Sequence, residues 1–350
     1  MFLHLLLCFH GCAARASQCA KGTKAHTRAP LPSMLPLQRG WASSTTKSTA
    51  RIFTITRHAF NASINPTRGC CAVVYVSEGR NPSLLDALAD AATTTDPSSA
   101  GLIRQFRDKQ YHRTGFTIGG VCPLAVARAS IEVSRQALRS IDLRLHEASH
   151  PRIGVVDHIS VHALGESGEE FAQRAGLIIA TALGEEGVPV LLYGDLKNGR
   201  RLAEVRRSTP YFVSGEIPAT IDADLGPNEV DASRGLVTVG CTPLVTNYNI
   251  LLSTDDKRLA SKVTRSIREK DGGLPWVESL TLRREDGTFE AACNLLRPKE
   301  TTPAMVLAAA EERAAALGIR VVEHYETGLT EEEATAAISR LTLKGAEKPK

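Results

Sequence analysis

Short apolar runs of strand length alternate along this chain with segments in which apolar residues recur at helical spacing. The first run, residues 71–77, predicts a strand, and residues 82–92 follow with Leu84, Leu85 and Leu88 on one helical face. Pro82 suits the first turn of that helix, where no hydrogen-bonded N–H is required. The alternation continues with a strand at 113–120, a long helix at 123–145, a strand at 153–164, a helix at 169–184 and a strand at 188–193.

A loop-rich stretch at residues 209–233, with three prolines, separates this half from a second one. The second half predicts strands at 236–241 and 247–252, a helix at 255–267, a hairpin of strands 277–283 and 288–296, a helix at 303–317, a strand at 319–326 and a helix at 330–341. This order favours an α+β fold, an α/β sandwich made of two split βαβ halves. The expected boundaries are 1–69 for a leader, 70–210 and 234–342 for two subdomains, 211–233 for a linker or ligand loop, and 343–350 for a tail.

Charge is distributed unevenly along the 350 residues. The first acidic residue is Glu78, and residues 1–77 contain nine Lys and Arg, although the whole chain carries only +4. The remaining chain therefore holds 33 basic against 38 acidic residues. A mildly acidic body offers no basic face for phosphate backbones, so we expect no nucleic acid partner. No segment approaches the roughly 20 apolar residues that span a bilayer, so we expect no membrane partner.

The first 69 residues are rich in Arg, Ser, Thr and Ala and contain no acid. This composition is typical of an organellar transit peptide, and we expect a chloroplast protein in preference to a mitochondrial one. The apolar run at residues 2–9 leaves entry through a secretory route as an alternative, and a merely disordered tail as another.

Three histidines, an arginine and two carboxylates surround Pro151 in the segment 146–158. Proline cannot lie inside a helix and pushes the preceding residue toward extended geometry, so His150 should sit at a helix-to-strand corner. In one interpretation His150 is a general base and acid near neutral pH, and Arg152 binds a carboxylate. In a second, His146, His150, His158 and His162 bind zinc. In a third, the histidines are structural, with His146 capping a helix.

Two further polar clusters interrupt apolar strands. Asn247 and Asn249 share one face of a predicted strand, and Asn294 lies near the end of another. Buried carboxamides need partners, which are either a polar ligand or the backbone of a loop. The loop from Asp224 through Gly226 and Pro227 to the later Gly235 would let a flat ligand approach the backbone closely.

These segments, taken in order over residues 71–342, resemble the N- and C-terminal subdomains of glutamate formiminotransferase. The residues that carry the resemblance are Ser77-Glu78-Gly79, Asn81, Arg113-Thr114, His150-Pro151-Arg152 with Gly154 and Asp157, Pro189, Leu192-Tyr193-Gly194, Asp224–Pro227, Asn247–Thr254 and Asn294-Leu295-Leu296. The tripeptide His150-Pro151-Arg152 followed by Gly154 is the most specific of them. No cyclodeaminase segment of the bifunctional animal proteins is recognised, so the chain resembles stand-alone plant and algal relatives.

The resemblance implies two ferredoxin-like subdomains with facing sheets and a cleft between them, and a homodimer. It implies transfer of a formimino or formyl group between glutamate and tetrahydrofolate, with tetrahydrofolate as a substrate and no metal. His150 matches the family's catalytic histidine. The substrate and folate contacts it implies are Arg152, Arg113, Ser77, Glu78, Asp224, Gly226, Pro227, Gly235, Asn247, Asn249 and Asn294.

The chain also departs from the family pattern. Val74-Tyr75-Val76 stands where the family has Pro-Asn-Phe, Ala148 replaces a glycine, and Arg234 replaces a tryptophan of the folate loop. Two hypotheses therefore accompany that of a one-carbon transferase. The first is a folate-binding or regulatory paralogue without turnover, and the second is a metalloprotein built on the four histidines.

Overall fold

The computed structural model describes residues 68–94, 97–148, 150–165, 167–211 and 216–346. The leader expected over residues 1–69 lies outside the described residues, apart from its last two positions. The strands are β1 (Arg68–Val76), β2 (Ala100–Asp108), β3 (Arg113–Gly120), β4 (Val156–Gly165), β5 (Val190–Gly194), β6 (Val237–Cys241), β7 (Thr246–Leu252), β8 (Val277–Arg283), β9 (Phe289–Leu295) and β10 (Val321–Glu326). The helices are α1 (Pro82–Thr94), α2 (Pro123–Ser140), α3 (Glu169–Glu185), α4 (Leu202–Ser208), α5 (Lys257–Ile267), α6 (Pro303–Ala316) and α7 (Glu331–Ala346).

The first sheet has six strands in the order β2-β3-β1-β4-β6-β5. Its first four strands are antiparallel and, with α1 and α2, form a ferredoxin-like β-α-β-β-α-β unit. Strands β6 and β5 extend it in parallel. One face of the sheet, which includes Val74, Phe116 and Ile159, packs in a single apolar core with Val126 and Val133 of α2. The expected α+β fold is confirmed.

The second sheet has four antiparallel strands in the order β10-β7-β9-β8. With α5 and α6 it forms a second ferredoxin-like unit. Alternation sends Tyr248, Ile250 and Leu252 of β7 into a core with the two helices, including Val263 and Val306. The other face of β7, which carries Asn247 and Asn249, is left for the first subdomain.

Polar contacts join the two subdomains across facing sheets. Tyr75 of β1 donates to Asn247 of β7 at 3.5 Å. Arg80 pairs with Glu285 at 3.1 Å, and Arg201 pairs with Glu269 at 3.1 Å. The two halves therefore meet through hydrogen bonds and ion pairs, and the space between them is a polar cleft.

The structure contains strand β6 and helix α7 as predicted, but both pack with the first sheet and not with the second subdomain, to which the sequence assigned them. All five residues of β6 are buried, as expected for a central parallel strand, and it lies between β4 and β5. Helix α7 packs on the first sheet, where Ile338 joins Cys71 and Leu164. Gly119 makes room there, because a Cβ at that position would meet Ile338.

Three local predictions also differ from the structure. Helix α2 ends at Ser140, because Ile141 takes an extended conformation, and a separate 3₁₀ turn follows at Leu143–Leu145. Strand β2 and helix α4 were not predicted at all. Among the described residues, no helix has the length and apolar character needed to cross a membrane.

Candidate active site

His150 lies on the corner between the 3₁₀ turn and strand β4. Its Nδ1 is 2.8 Å from the carbonyl oxygen of Pro151, and its Nε2 is 2.8 Å from Nη1 of Arg113. A carbonyl only accepts a hydrogen bond and a guanidinium only donates one. Nδ1 therefore carries the proton, and Nε2 presents its lone pair to Arg113. This is the neutral tautomer that a general base requires.

The surroundings of His150 keep its ring uncharged. Burial lowers the pKa of His150 well below its usual range, and the charge of Arg113 lowers it further. The Arg113 guanidinium also lies 5.6 Å from the ring centre of Tyr75 and 5.8 Å from that of Tyr111. In the structure the Nε2 lone pair of His150 is therefore occupied by Arg113.

A buried ion pair holds the corner in place. Arg206 of α4 donates from Nη1 to Asp157 at 2.8 Å and from Nη2 to the carbonyl of Pro151 at 3.3 Å. Asp157 also accepts from the N–H of Ile153 at 2.7 Å. Burial alone would raise the pKa of Asp157, but the charge of Arg206 holds it far below its usual range. Helix α4, which the sequence did not predict, therefore positions the residues next to His150.

Ser77 and Gly235, both predicted as ligand contacts, hold the backbone of this corner, and Ser77 also lines the pocket that contains His150. Their contact with a ligand stays a prediction. The Ser77 hydroxyl donates to the carbonyl of Gly154 at 2.7 Å. Gly235 pairs with Gly154 and has φ +73°, and a side chain there would overlap the carbonyl of Ile153. Only glycine adopts this conformation readily, so the position is required by the backbone.

His112 and His146 form a stacked pair beside this corner, with ring centres 4.4 Å apart. Nε2 of His146 lies 2.9 Å from the carbonyl of His112, so Nε2 carries the hydrogen. Nδ1 of His112 accepts from the N–H of Gly79 at 3.0 Å and lies 3.4 Å from Glu78. Arg152 donates from Nη2 to the carbonyl of His146. The predicted residues Glu78 and Arg152 are thus attached to this pair.

Tyr75, Arg113, His146, His150 and Arg152 line one small pocket. Its cavity volume of about 10 Å³ is enough for about one water molecule. A ligand larger than a few atoms fits this pocket only if the pocket widens. Arg113, His150 and Arg152, three of the residues singled out from the sequence, lie in the lining of this one pocket.

A larger cavity of about 300 Å³ lies next to this pocket, between the subdomains. Arg80 and Glu147 line it from the first subdomain, and Arg283 and Arg284 line it from the second. Its volume falls within the range of small-molecule sites. Its lining is charged in both signs, since Glu147 and Glu285 accompany the three arginines and Arg80 pairs with Glu285.

The predicted carboxamides reach the cleft from the second sheet. Asn247 donates to Asn294 at 2.7 Å and accepts from Tyr75, which lines the small pocket. Asn249 instead donates to the buried carboxylate of Glu290 at 2.9 Å. Asn247 and Asn294 are therefore placed opposite the pocket, whereas Asn249, on the same face of β7, is held by the carboxylate of Glu290.

The loop that contains Asp224, Gly226 and Pro227 is not brought to His150. Asp224 accepts from Lys197 at 2.8 Å and from Arg200 at 2.5 Å. Gly226 has φ +82° and packs against the backbone at the end of α3. None of these three lies among the described residues that line the small pocket. Their contact with a folate stays a prediction.

Sequence reasoning missed Tyr75, Tyr111 and His112 as parts of this pocket. Tyr75 alternates with the buried Val74 and Val76, a pattern that places it on the opposite face of the sheet. Tyr111 and His112 lie in the turn between β2 and β3, and that turn was not recognised because β2 was not predicted.

The four histidines proposed as zinc ligands serve in separate contacts. His158 stacks on Tyr75 with ring centres 4.4 Å apart, and His162 bonds to the carbonyl of Thr242 at 2.9 Å. Within the part of the chain that the structure describes, no group of three or more His, Cys, Asp or Glu residues is arranged to hold a metal ion.

These features define a two-subdomain α+β protein with a neutral histidine and an arginine at a polar cleft. The family model of the formiminotransferase domain, N-terminal subdomain, matches residues 69–242, a segment that ends just after β6. A formiminotransferase cyclodeaminase-like protein of Arabidopsis thaliana is 32% identical over 286 residues, which cover 76% of this chain and 94% of that protein. The chain belongs to the formiminotransferase family, and the resemblance predicted from the sequence is confirmed.

More distant relatives extend the comparison. A glutamate formimidoyltransferase of Thermoplasma acidophilum is 27% identical over 279 residues, 77% of this chain and 90% of that protein. A formimidoyltransferase-cyclodeaminase of Gallus gallus is 29% identical over 288 residues, 77% of this chain but 51% of that protein. The similarity therefore spans nearly the whole length of the Arabidopsis thaliana and Thermoplasma acidophilum proteins and about half of the Gallus gallus protein.

Proposed function

We propose that this protein transfers a formimino group between glutamate and tetrahydrofolate, with His150 as general base and then general acid. The observation that carries the proposal is the neutral His150 ring, whose Nε2 lone pair is turned toward Arg113 in a pocket at the cleft. The glutamate formimidoyltransferases among the relatives support this reaction class.

The reaction needs a base and an acid in succession. N5 of tetrahydrofolate attacks the formimino carbon of N-formimino-L-glutamate and gives a tetrahedral intermediate. Nε2 of His150 takes the proton from N5 and gives it to the departing glutamate nitrogen as the carbon–nitrogen bond breaks. One imidazole performs both steps because the proton that leaves one nitrogen is needed on the other.

Arg113 links substrate binding to this chemistry. In the structure it donates to the lone pair that must accept the proton. A substrate carboxylate is a stronger partner for a guanidinium than a neutral imidazole is, because both charges then contribute. A carboxylate that enters the pocket therefore draws Arg113 away and exposes Nε2. Arg152 is the second carboxylate-binding candidate, and Asn247 with Asn294 contacts the pterin from the opposite sheet.

The proposal also covers the binding partners and the cellular location of the enzyme. Its partners are the folate and the glutamate derivative, and a second copy of the chain forms a homodimer. The acid-free, arginine-containing composition of residues 1–69 supports import into an organelle, with the chloroplast as the expected one.

The decisive experiment uses the full chain with tetrahydrofolate and N-formimino-L-glutamate and follows the pterin absorbance. His150→Ala should lower turnover by a factor of about 10²–10⁴, the usual contribution of general acid–base catalysis. Its affinity for tetrahydrofolate, measured by calorimetry, should change less than about threefold. His324→Ala removes an exposed histidine on β10 and is the matched control, for which we expect wild-type turnover.

The outcomes separate the alternatives. Wild-type turnover in His150→Ala contradicts the role of that residue. Folate binding by the wild type without any glutamate-dependent turnover indicates a non-catalytic folate-binding paralogue. Stoichiometric zinc in the purified protein would favour the metalloprotein hypothesis.

A further inference from the structure

His146 offers an unused hydrogen-bond acceptor in the pocket. Its side chain is only 7% exposed, and its ring lines the same pocket as His150. Nε2 carries the hydrogen that bonds to the carbonyl of His112, so Nδ1 is left with a bare lone pair. Among the residues that the structure describes, Nδ1 has no partner. A buried polar atom without a partner is unfavourable and marks a position where a ligand or a water is expected.

The surroundings of His146 fix this lone pair as an acceptor. Burial is the largest cause that lowers the pKa of His146, to about 4, and it outweighs the hydrogen bond to the carbonyl of His112, which raises the pKa, while the charge of Arg152 lowers the pKa further. The ring cannot turn over without breaking the bond to His112 and its stacking on that residue. Nδ1 therefore remains an acceptor at physiological pH and cannot become a donor.

A second atom of the pocket also lacks a hydrogen-bond partner among the described residues, and it is a donor. Nε of Arg152 is a buried donor without a partner among the described residues. Arg152 is attached to His146 through the carbonyl of that histidine, so the two unpaired atoms belong to neighbouring groups. The pocket is thus complementary to a ligand that carries an N–H or O–H group and an acceptor such as a carboxylate.

We propose that His146 is a specificity-determining residue, whose Nδ1 accepts a hydrogen bond from the terminal nitrogen of the transferred formimino group and so rejects a formyl group. The inference rests on the proposed transferase function. A formimino group carries at least one hydrogen on its terminal nitrogen in either protonation state. A formyl group has an oxygen at that position, which is an acceptor and faces the lone pair of His146 unfavourably. A site that pairs with a substrate N–H discriminates strongly against an analogue that lacks it.

This role is compatible with the balance of the reaction. The bond from the formimino carbon to N5 forms, the bond from that carbon to the glutamate nitrogen breaks, and the proton travels through His150. The terminal nitrogen stays on the transferred carbon and keeps its hydrogens throughout. His146 therefore holds the same N–H before and after transfer, and contributes binding and orientation while His150 moves the proton.

The test compares two donors, N-formimino-L-glutamate and N-formyl-L-glutamate, with the full chain and tetrahydrofolate. His146→Phe keeps the stacked ring but removes the acceptor, and His146→Gln supplies another acceptor while it can still donate to His112. For the wild type we expect a preference for the formimino donor in kcat/KM. His146→Phe should lower that preference about 10- to 100-fold, and His146→Gln should restore part of it.

Two further measurements keep the result interpretable. His162→Phe removes another buried histidine, whose nitrogens bond to Thr242 and Ser160. This control should leave the donor preference unchanged even if it lowers stability, because the ratio of the two kcat/KM values does not depend on the fraction of folded protein. In the inactive His150→Ala background, calorimetry should show that His146→Phe weakens binding of formiminoglutamate about 10-fold or more. An equal loss for both donors would mean that His146 is structural or binds only a water, and would overturn the proposal. No turnover of either donor by the wild type would instead refute the transferase function itself.

Discussion

Replacing Asp157 with asparagine removes one charge from the buried pair that holds the His150 corner. Both side chains of the pair are only 12% exposed, so solvent screens the interaction little. Asparagine still accepts the hydrogen bond from Ile153 through its one oxygen, but it loses both the charge and the second oxygen that accepts from Arg206. Removing one partner of such a pair leaves the other charge buried, and we expect a loss of about 3–5 kcal/mol in the free energy of unfolding.

Arg206→Met and the double variant complete the comparison. Arg206→Met leaves Asp157 charged and buried, so its loss should be similar to that of Asp157→Asn. The double variant contains no buried charge, and we expect it to be destabilised about as much as one single variant. The coupling free energy, the sum of the two single losses minus the loss of the double variant, should therefore be about 3–5 kcal/mol. Urea unfolding at pH 7 measures it from the midpoints and slopes.

The dependence of stability on pH gives an independent check. The pKa of Asp157 is lower in the folded protein than in the unfolded chain, whose value is about 3.9. The stabilisation is therefore fully present above about pH 5 and is lost as the pH falls toward the folded value. The argument that this pair holds the corner would be refuted if each single variant lost less than about 1 kcal/mol in the free energy of unfolding. It would also be refuted if the two single losses summed to the loss of the double variant.

Three further predictions follow from other contacts. Arg113→Met should raise the pKa of His150 toward its usual value, because a neighbouring cation is removed. An NMR titration of the His150 ring measures this pKa, and an unchanged pKa would contradict the prediction. Gly235→Ala should lower the free energy of unfolding by more than about 2 kcal/mol in urea unfolding, since its positive φ and the backbone overlap both oppose a side chain. Gly168→Ala, at the N-cap of α3 with open space around it, should lose less than about 1 kcal/mol. Glu290→Gln should cost about 1.5–3 kcal/mol in the same assay, because it removes a charge-assisted bond to an arginine, and a neutral effect would show that this buried network contributes little.

The alternating pattern predicted most of the elements, because most strands and helices each bury one regular face. Strand β2 was missed because Arg104, Gln105, Arg107 and Asp108 replace the apolar run expected of a strand, and only two of its nine residues are buried. Helix α4 was missed because it is short and carries two arginines, of which Arg206 acts through an ion pair rather than through apolar packing.

Assignments that depend on distant contacts could not be read from local pattern. Strand β6 follows the predicted linker in sequence, yet it enters the first sheet, since pairing with β4 and β5 is decided by tertiary structure. The His150-Pro151-Arg152 corner was predicted because proline constrains its own backbone. Nothing in the sequence indicated that Arg113 would occupy the His150 lone pair or that Nδ1 of His146 would stay unpaired, because both depend on side-chain orientation.

The return of α7 to the first sheet affects how the protein is made on the ribosome. Ile338 and Ala334 complete an apolar cluster with Cys71, Val121 and Leu164, which belong to or follow the earliest strands. About a hundred residues separate the end of β6 from the end of α7, which corresponds to roughly 5–20 s of synthesis. During that interval the nascent amino-terminal sheet exposes one patch of hydrocarbon, and this patch is where a chaperone would bind the unfinished chain.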